Sequence, residues 1–277
     1  MKKYLPRIYV CLIFAILYIP ILTLILFSFN ESNSTAVFTG FSFKWYLELF
    51  SSPDTFTALR NTLILAVLSS LIATVIGTAA AEGIYRMRSK LLKRTITSVT
   101  NIPMMNPDIV TGMSMMLFFV AVAGMLSLPY EEIGFAAMLI AHVTFSLPYV
   151  ILSVLPRITE LGDSLSEAAL DLGCTPLRAF FTVKLPNIMP GVISGMVMAF
   201  TLSLDDFVIS YFVGSSNFQT LPLLIYSMTK KKVTPDMYAL STLIIVTVFV
   251  LLIISNVRAG KKASQNSQKK KKGGVTK

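Results

Sequence analysis

Two consecutive carboxylates, Asp205 and Asp206, lie within a long apolar stretch of the chain. An ionised group at the centre of a bilayer costs roughly 2.5–3.5 kcal/mol even on a lenient insertion scale, so two adjacent charges indicate a specific role. Carboxylates that face a wet path can bind cations weakly enough to release them. Because neighbours on a helix point about 100° apart, one could face such a path while the other caps a broken helix or pairs across a dimer. A buried structural pair is the alternative.

Three other side chains are candidates for the same path. Asp108 follows Pro107, where an acidic residue in the first turn of a helix is also explained without any substrate. Trp45, the only tryptophan, and Tyr211 lie near the predicted outer ends of apolar segments. Their rings could make cation–π contacts at an outer gate, or they could belong to an interfacial aromatic belt.

The sequence argues against a cofactor site. His142 is the sole histidine, and one imidazole without carboxylate or thiolate partners makes no metal site, so we predict a hydrogen-bonded packing role. Cys11 and Cys174 give neither a disulfide framework nor a metal site. The sequence has no GxxxxGK[ST] phosphate loop and no G-x-S-x-G nucleophile elbow. We therefore predict a chain that binds no cofactor and does not hydrolyse ATP by the P-loop route.

The elements that carry these residues are typical of a membrane protein. Of 277 residues, 54% are hydrophobic and only 14% are charged, and the mean hydropathy is +0.71. These values exclude most soluble enzymes and intrinsic disorder. A bilayer core about 30 Å thick requires roughly 20 apolar residues of helix. Six such segments are predicted, at 8–29, 63–81, 109–128, 133–155, 190–213 and 238–256.

The distribution of cations predicts an orientation. Most of the 24 Lys and Arg residues fall at the N-terminus, between segments two and three, between segments four and five, and in the C-terminal tail. By the positive-inside rule both termini are cytoplasmic, although Lys230 to Lys232 fall on the predicted outer side. Residues 1–259 are predicted to form the transmembrane domain. The Lys-rich residues 260–277 are predicted to be a disordered cytoplasmic tail close to anionic lipid.

The cytoplasmic loop between segments four and five, with an elbow at 160–186, is patterned like folded helix. Its apolar residues recur at helical spacing beside two acidic residues, in the set Leu165, Ala168, Ala169 and Leu172 with Glu167 and Asp171. Ser164 and Glu167 predict a capping box at the start, and Gly173 suits the C-terminal cap. A second short helix is predicted to open at Thr175-Pro176.

This loop has two explanations. It could be an amphipathic helix lying on lipid. Its polar face is acidic, however, and an anionic leaflet would repel that face. A protein partner that receives the helix is therefore the better explanation.

The loop carries a resemblance to a known family. The residues in question are Glu167, Ala168, Ala169, Gly173, Val183, Leu185 and Pro186. Their spacing resembles the EAA loop of binding-protein-dependent ABC importer permeases, with Val183 where the family pattern has Ile. The resemblance implies that the loop contains the coupling helix, which seats in a cleft of the ATPase subunit, and that these residues form the ATPase-coupling site.

Shorter strings extend the resemblance over nearly the whole chain. Segments 43–46, 101–112, 203–206, 220–222 and 226–228 resemble the spermidine/putrescine permeases of the PotC type. This resemblance implies an all-α type I importer (MetI-like) permease fold in the bacterial inner membrane. It also implies a heterodimer with a PotB-like permease, two PotA-like ATPase subunits that hold ATP and Mg²⁺, and an external PotD-like polyamine-binding protein. No nucleic acid is implied.

We therefore expect a non-enzymatic permease subunit of an ATP-driven polyamine importer. The expected substrate path contains the acidic and aromatic candidates Asp205, Asp206, Asp108, Trp45 and Tyr211. The same machinery with another small solute is one alternative. A cation channel, or a membrane enzyme that uses the acidic pair as acid and base, is an alternative of another class, but no nucleophile or metal site accompanies the pair. The coupling loop distinguishes these hypotheses, because channels and membrane enzymes do not need it.

Overall fold

The computed structural model describes the chain over residues 5–32, 37–215, 218–231, 236–247 and 249–250. This described part is helical except for turns, short loops and one isolated antiparallel bridge between Asn30 and Phe41. In chain order the helices are α1 (Leu5–Phe27), α2 (Lys44–Ser51), α3 (Pro53–Arg86), α4 (Lys90–Met105), α5 (Asp108–Leu126), α6 (Tyr130–Leu161), α7 (Ser164–Asp171), α8 (Pro176–Ala179), α9 (Leu185–Asp205), α10 (Val208–Val213), α11 (Leu221–Lys231) and α12 (Asp236–Thr247). A π-helical turn, Phe180–Lys184, joins α8 to α9.

Five stretches of helix are long and apolar enough to cross a membrane. They are Tyr9–Phe27, Pro53–Arg86, Asp108–Leu126, Tyr130–Leu161 and Pro176–Asp205. Each overlaps one of the first five predicted segments, so the prediction of an all-α membrane protein is confirmed.

The sixth predicted segment, 238–256, begins in the shorter apolar helix α12 and continues beyond residue 250, outside the described residues. The predicted tail 260–277 and Lys232 also lie outside them. Six spans and the predicted orientation therefore stay predictions.

The chain divides into two compact units. One combines the described residues of Met1–Leu59 with those of Leu223–Ile254, and the other is built on Arg60–Pro222. The second unit contains the acidic pair and the whole elbow, 160–186.

Helix α6 is the centre of the second unit. It buries apolar side chains along most of its length against α3 and α9, in a cluster that includes Ala73, Ala81, Val150, Val154, Ile158, Ile188 and Ala199. Close approach of α9 depends on glycine, because a Cβ at Gly195 would lie 3.1 Å from the Cα of Val150. Small residues at helix contacts of this kind are typical of membrane proteins, where van der Waals packing drives helix association.

The short helix α10 packs against α5 and α6. A Cβ at Gly112 of α5 would lie 3.0 Å from Cδ2 of Phe212, so these helices also meet through a glycine. Ile209 and Val213 of α10 are fully buried in a second apolar cluster with Met138 of α6. This packing fixes the position of α10 although it has only six residues.

The predicted fifth span is not one continuous helix. Residues 190–213 were expected to form a single segment, but α9 ends at Asp205 and α10 begins at Val208. Asp206 has an extended backbone (φ −63°, ψ 121°), which interrupts the helix. The Asp206 side chain satisfies backbone donors of a new helix instead of continuing the old one, which is the broken-helix alternative given for one member of the acidic pair. That α9 and α10 together form one span stays a prediction.

Candidate transport path and coupling site

Asp206 is the cap of a broken helix. Its Oδ2 accepts a hydrogen bond from the backbone N–H of Ser210 at 2.8 Å, and its Oδ1 accepts one from Ile209 at 3.2 Å. These amides belong to the first turn of α10, where backbone donors lack partners within the helix. A carboxylate there is also favoured by the positive end of the helix dipole. The fold thus uses Asp206 for structure.

His142 reinforces this cap from α6. Its Nε2 lies 3.5 Å from Oδ2 of Asp206 and 3.3 Å from Oγ of Ser210. Its Nδ1 lies 2.7 Å from Oγ of Ser203, which in turn accepts a hydrogen bond from Ser69 at 2.9 Å. The His142 side chain is 1% exposed, and both ring nitrogens have partners, as a buried polar ring requires. The hydrogen-bonded role predicted for His142 agrees with this geometry.

Asp205 has a different environment. It is the last residue of α9, it is exposed, and none of the ion pairs in the described part of the chain includes its carboxylate. An ionised carboxylate in a membrane-spanning segment is costly unless water or a cation solvates it. The structure therefore separates the acidic pair into a hydrogen-bonded member, Asp206, and an exposed member, Asp205. Contact of Asp205 with a substrate stays a prediction.

Asp108 and Tyr211 are both accessible in this chain. Asp108 is the first residue of α5 and is exposed, which fits the predicted helix start after Pro107. Tyr211 is 48% exposed on α10, with its ring 5.5 Å from that of Phe207. Because α10 begins just after the helix break, Tyr211 and Asp205 belong to the same local region of the chain. The contact of either residue with a substrate stays a prediction.

Trp45 lies in the first compact unit and is buried, with 5% of its surface exposed. Its Nε1 donates a hydrogen bond to the backbone carbonyl of Asn30 at 2.5 Å, and the Nζ of Lys44 lies 4.9 Å from the ring centroid. This indole therefore holds the segment before α2 in place and already has a cation on its face. A gate role for Trp45 stays a prediction.

The elbow begins with α7, the predicted coupling helix. The predicted capping box of Ser164 and Glu167 is wrong, because Asp163 is the N-cap and its carbonyl accepts the Glu167 N–H at 2.9 Å. Gly162, at φ +68°, ends α6 immediately before this point, so α7 starts early and Ser164 is already its first helical residue. The cap therefore needs no side-chain oxygen from Ser164.

The C-terminal cap of α7 follows the prediction. Gly173 adopts φ +84°, a conformation that glycine reaches without strain. Its N–H bonds to the carbonyl of Leu170 at 2.9 Å, and the Cys174 N–H bonds to that of Ala169 at 3.0 Å. This is the Schellman arrangement. Ala169 is buried, whereas Glu167 and Ala168 of the same motif are exposed.

The elbow then runs directly into a membrane span. Thr175 caps α8 through a hydrogen bond from the Arg178 N–H to its Oγ1, at 3.4 Å, as predicted. Helix α8, the π-helical turn and α9 follow without interruption, with Leu185 and Pro186 of the motif at the start of α9. From Pro176 to Asp205 this gives 30 residues of continuous helix, about 45 Å at 1.5 Å per residue.

The structure contains a buried ion pair that was not predicted from the sequence. Lys184, in the π-helical turn, is 1% exposed, and its Nζ lies 2.9 Å from Oε1 of Glu82 on α3. The sequence signals were a lone cation in an otherwise apolar string before Leu185 and a lone acid in the apolar run of α3. The spacing of these residues could not show that they are partners.

Within the described part of the chain, no group of three or more His, Cys, Asp and Glu side chains could hold a metal ion. The arrangement offers an exposed carboxylate at a helix break, a buried network that holds the break, and an elbow continuous with the same span. The Ser203 hydroxyl that contacts His142 is buried, so the accessible group of this arrangement is the carboxylate at the helix break, where a cation could bind.

Known proteins share these features. The family described as "Binding-protein-dependent transport system inner membrane component" matches residues 73–259. The putrescine transport system permease PotI of Escherichia coli K12 is 38% identical over 94% of this chain and 93% of its own. The spermidine/putrescine transport system permease PotC of Haemophilus influenzae is 36% identical over 92% and 96%.

The fold also matches a solved structure. A chain of a bacterial ABC transporter involved in import of the acidic polysaccharide alginate superposes with a TM-score of 0.75, at 19% identity, covering 94% of both chains. At that identity the likeness concerns the fold alone. The family match and the sequence relatives show that the chain belongs to the binding-protein-dependent transport system inner membrane components and is a multi-pass inner-membrane permease.

Proposed function

We propose that this chain is a permease subunit of an ATP-driven importer of polyamines, with Asp205 as its cation-binding carboxylate. The observation that carries the proposal is the separation of the acidic pair. Asp206 and His142 hold the helix break, and Asp205 is left exposed at the end of the span. A flexible multivalent amine needs such weakly compensated carboxylates along its path.

The cargo is proposed from the relatives. PotI is named for putrescine, and PotC for spermidine and putrescine. Both relatives cover more than nine-tenths of this chain, including the acidic pair and the elbow. An anionic solute would be expected to meet Lys or Arg at the helix break, where this chain has two Asp residues.

Coupling to an ATPase is proposed from the surface of the elbow. Its exposed large apolar side chains are Leu165, Leu170, Leu172, Leu177 and Phe181, with Leu172 86% exposed. Five large apolar side chains exposed within a short segment favour a binding site for a partner. The acidic residues beside them favour a protein over an anionic leaflet. We infer that two PotA-like ATPase subunits, a PotB-like permease and a PotD-like binding protein complete the importer, with ATP and Mg²⁺ on the ATPases.

The continuous helix supplies the mechanical link in this proposal. When the ATPases bind ATP and close, they move α7 and α8. Because the helix from Pro176 to Asp205 is uninterrupted, this motion reaches the break at Asp206 and reorients Asp205. Alternating access of the path then follows from displacement of α9 against its neighbours.

Uptake into proteoliposomes tests the proposal. The chain is reconstituted with its candidate permease and ATPase partners and supplied with the binding protein and radiolabelled spermidine. We expect uptake that requires both ATP and the binding protein and that putrescine, but not sugar or phosphate, competes. If the assembled complex hydrolyses ATP in response to another solute, the proposal of an ATP-driven importer stands and the proposal of polyamines as its cargo is rejected. Spermidine flux without ATP would favour a channel.

A further inference from the structure

We infer that the buried Lys184–Glu82 ion pair is a positioning device that transmits motion of the cytoplasmic elbow to α3. This inference rests on the proposed function, since it assigns a path for the elbow's motion. Lys184 comes from the π-helical turn and Glu82 from the last part of α3, so the pair joins elements 102 residues apart in the chain. It adds a second route to the continuous helix of α8 and α9.

The geometry gives Lys184 a closed site. The Nζ lies 2.9 Å from Oε1 of Glu82 and 4.6 Å from the ring centroid of Tyr85, which is three residues further along α3. Only 1% of the lysine side chain is exposed. A buried ammonium is strongly disfavoured unless a charge partner and hydrogen bonds replace its water. Any displacement of the π-helical turn must therefore move Glu82 and Tyr85 as well, or expose the charge.

Tyr85 extends the link to a third element. The Nζ of Lys93, on α4, lies 5.4 Å from the same ring centroid. Cations from the π-helical turn and from α4 therefore both contact an aromatic ring on α3, and such cation–π contacts strengthen when the cation loses its water. The elbow and α4 therefore both contact α3 at the ring of Tyr85.

The π-helical turn places the contact between Lys184 and α3 next to an irregular stretch of helix. Such turns interrupt regular helix geometry and frequently occur at functional sites. This one, Phe180–Lys184, separates the elbow helix α8 from the span α9, and Lys184 is its last residue. A locally altered helix next to a buried charge can change its twist while the ion pair keeps α3 attached.

Glu82 depends on this partner. Its Oε1 also contacts Nε of Arg86 at 2.5 Å, but Arg86 is 56% exposed and water can compete for it. Within the described part of the chain, Oε2 is buried and has no hydrogen-bond partner. Removal of Lys184 therefore leaves a partly buried carboxylate held only by an exposed cation.

The test uses the whole reconstituted importer and measures transported solute per ATP hydrolysed. Lys184→Met keeps the length of the side chain and removes its charge. We expect this variant to assemble and hydrolyse ATP but to transport about tenfold less solute per ATP, within the usual range of coupling between sites. The charge swap Glu82→Lys with Lys184→Glu should recover most of that ratio. Lys90→Met, the same change at an exposed lysine of α4, is the matched control and should leave the ratio unchanged.

The outcomes separate this inference from the proposed function. If the unaltered importer moves no polyamine, the cargo proposal fails, and the pair is then tested by how far the loaded binding protein stimulates ATP hydrolysis. An assembled Lys184→Met importer with an unchanged ratio and unchanged stimulation overturns the inference. If Lys184→Met fails to assemble, the variant with the swapped charges is used to test the inference. If that variant assembles but does not recover the ratio of transported solute to hydrolysed ATP, the pair only stabilises the fold, and the inference is also overturned.

Discussion

Asp205 and Asp206 are adjacent in the chain but have opposite environments. The carboxylate of Asp206 accepts hydrogen bonds from two backbone amides of α10, whereas Asp205 is exposed at the end of α9. Two like charges so close together are tolerable because the backbone amides and His142 compensate one of them. The pair therefore combines a structural group and a ligand-accessible group in two consecutive residues.

Conservative substitution should separate these roles. Asp205→Asn removes the exposed charge without changing volume, so we expect at least about tenfold slower polyamine uptake, a loss of about 1.4 kcal/mol of cation interaction, with unchanged assembly and stability. Uptake by proteoliposomes and thermal unfolding in detergent measure both effects. Asp206→Asn should instead lower the unfolding temperature, because an amide nitrogen cannot accept the second backbone hydrogen bond. Unchanged uptake in both variants would assign the whole pair to structure.

The imidazole of His142 should contribute measurably to stability. His142→Phe keeps a ring but leaves Asp206 and Ser203 without their α6 partner, and an unsatisfied buried polar group costs about 1–3 kcal/mol. Thermal unfolding of the purified permease checks this. Ser146→Ala is the matched control one turn along α6, because Ser146 is fully buried and its hydroxyl has no partner in the described structure. Equal stability of both variants with the unaltered chain would contradict a role for the network.

Features whose pattern repeats with the period of a helix, or that follow from capping residues, were predictable from the sequence. Apolar segments long enough for a bilayer predicted five spans that the structure describes, and glycine after an amphipathic stretch predicted the cap at Gly173. Proline after threonine likewise predicted the start of α8. These features are local, since each depends on residues within a few positions of one another.

Features whose decisive partner is distant in the chain, or that depend on individual hydrogen bonds, were not fixed by the sequence pattern. Hydropathy over 190–213 does not register the hydrogen bonds that break the helix at Asp206, so the sequence left open which member of the acidic pair forms the cap. Lys184 and Glu82 are 102 residues apart, so their pairing depends on packing of α3 against the elbow. The start of α7 also depended on a neighbour, since Gly162 ended α6 and made Asp163 the cap.

Charge reversal on the coupling helix should uncouple the importer. Glu167 is exposed on α7, next to the apolar side chains that we assign to the ATPase interface. We expect Glu167→Lys to leave the permease in the membrane but to reduce transport by about tenfold or more, since like charges placed across an interface repel the partner. Copurification of the ATPase and uptake measure the effect.

The matched control for this reversal is Glu160→Lys. Glu160 is 72% exposed in the last turn of α6, before α7 begins, and its Oε2 lies 3.0 Å from Nη1 of Arg157. An exposed pair of this kind contributes little to stability, so the control should assemble and transport normally. Glu167→Lys with normal copurification and transport would remove α7 from the coupling site.

The contact between α6 and α9 should not tolerate a methyl group at Gly191. A Cβ there would lie 2.7 Å from Cγ of Arg157 and 2.8 Å from the backbone carbonyl oxygen of Ser153. The arginine side chain can move, but the carbonyl is fixed within α6, so the helices must separate. Overpacking of this kind costs about 1–3 kcal/mol, and we expect Gly191→Ala to lower the unfolding temperature in detergent accordingly.

Gly83→Ala shows whether that cost comes from the contact. Gly83 lies inside α3, and a Cβ there would meet no atom within 4 Å. Alanine is favoured over glycine within a helix by about 1 kcal/mol, so Gly83→Ala should be neutral or stabilising. Because the two substitutions are chemically identical, a difference between them isolates the approach of α9 to α6. Equal unfolding temperatures would mean that the two helices separate without cost, and α9 could then not be held against α6 by this contact.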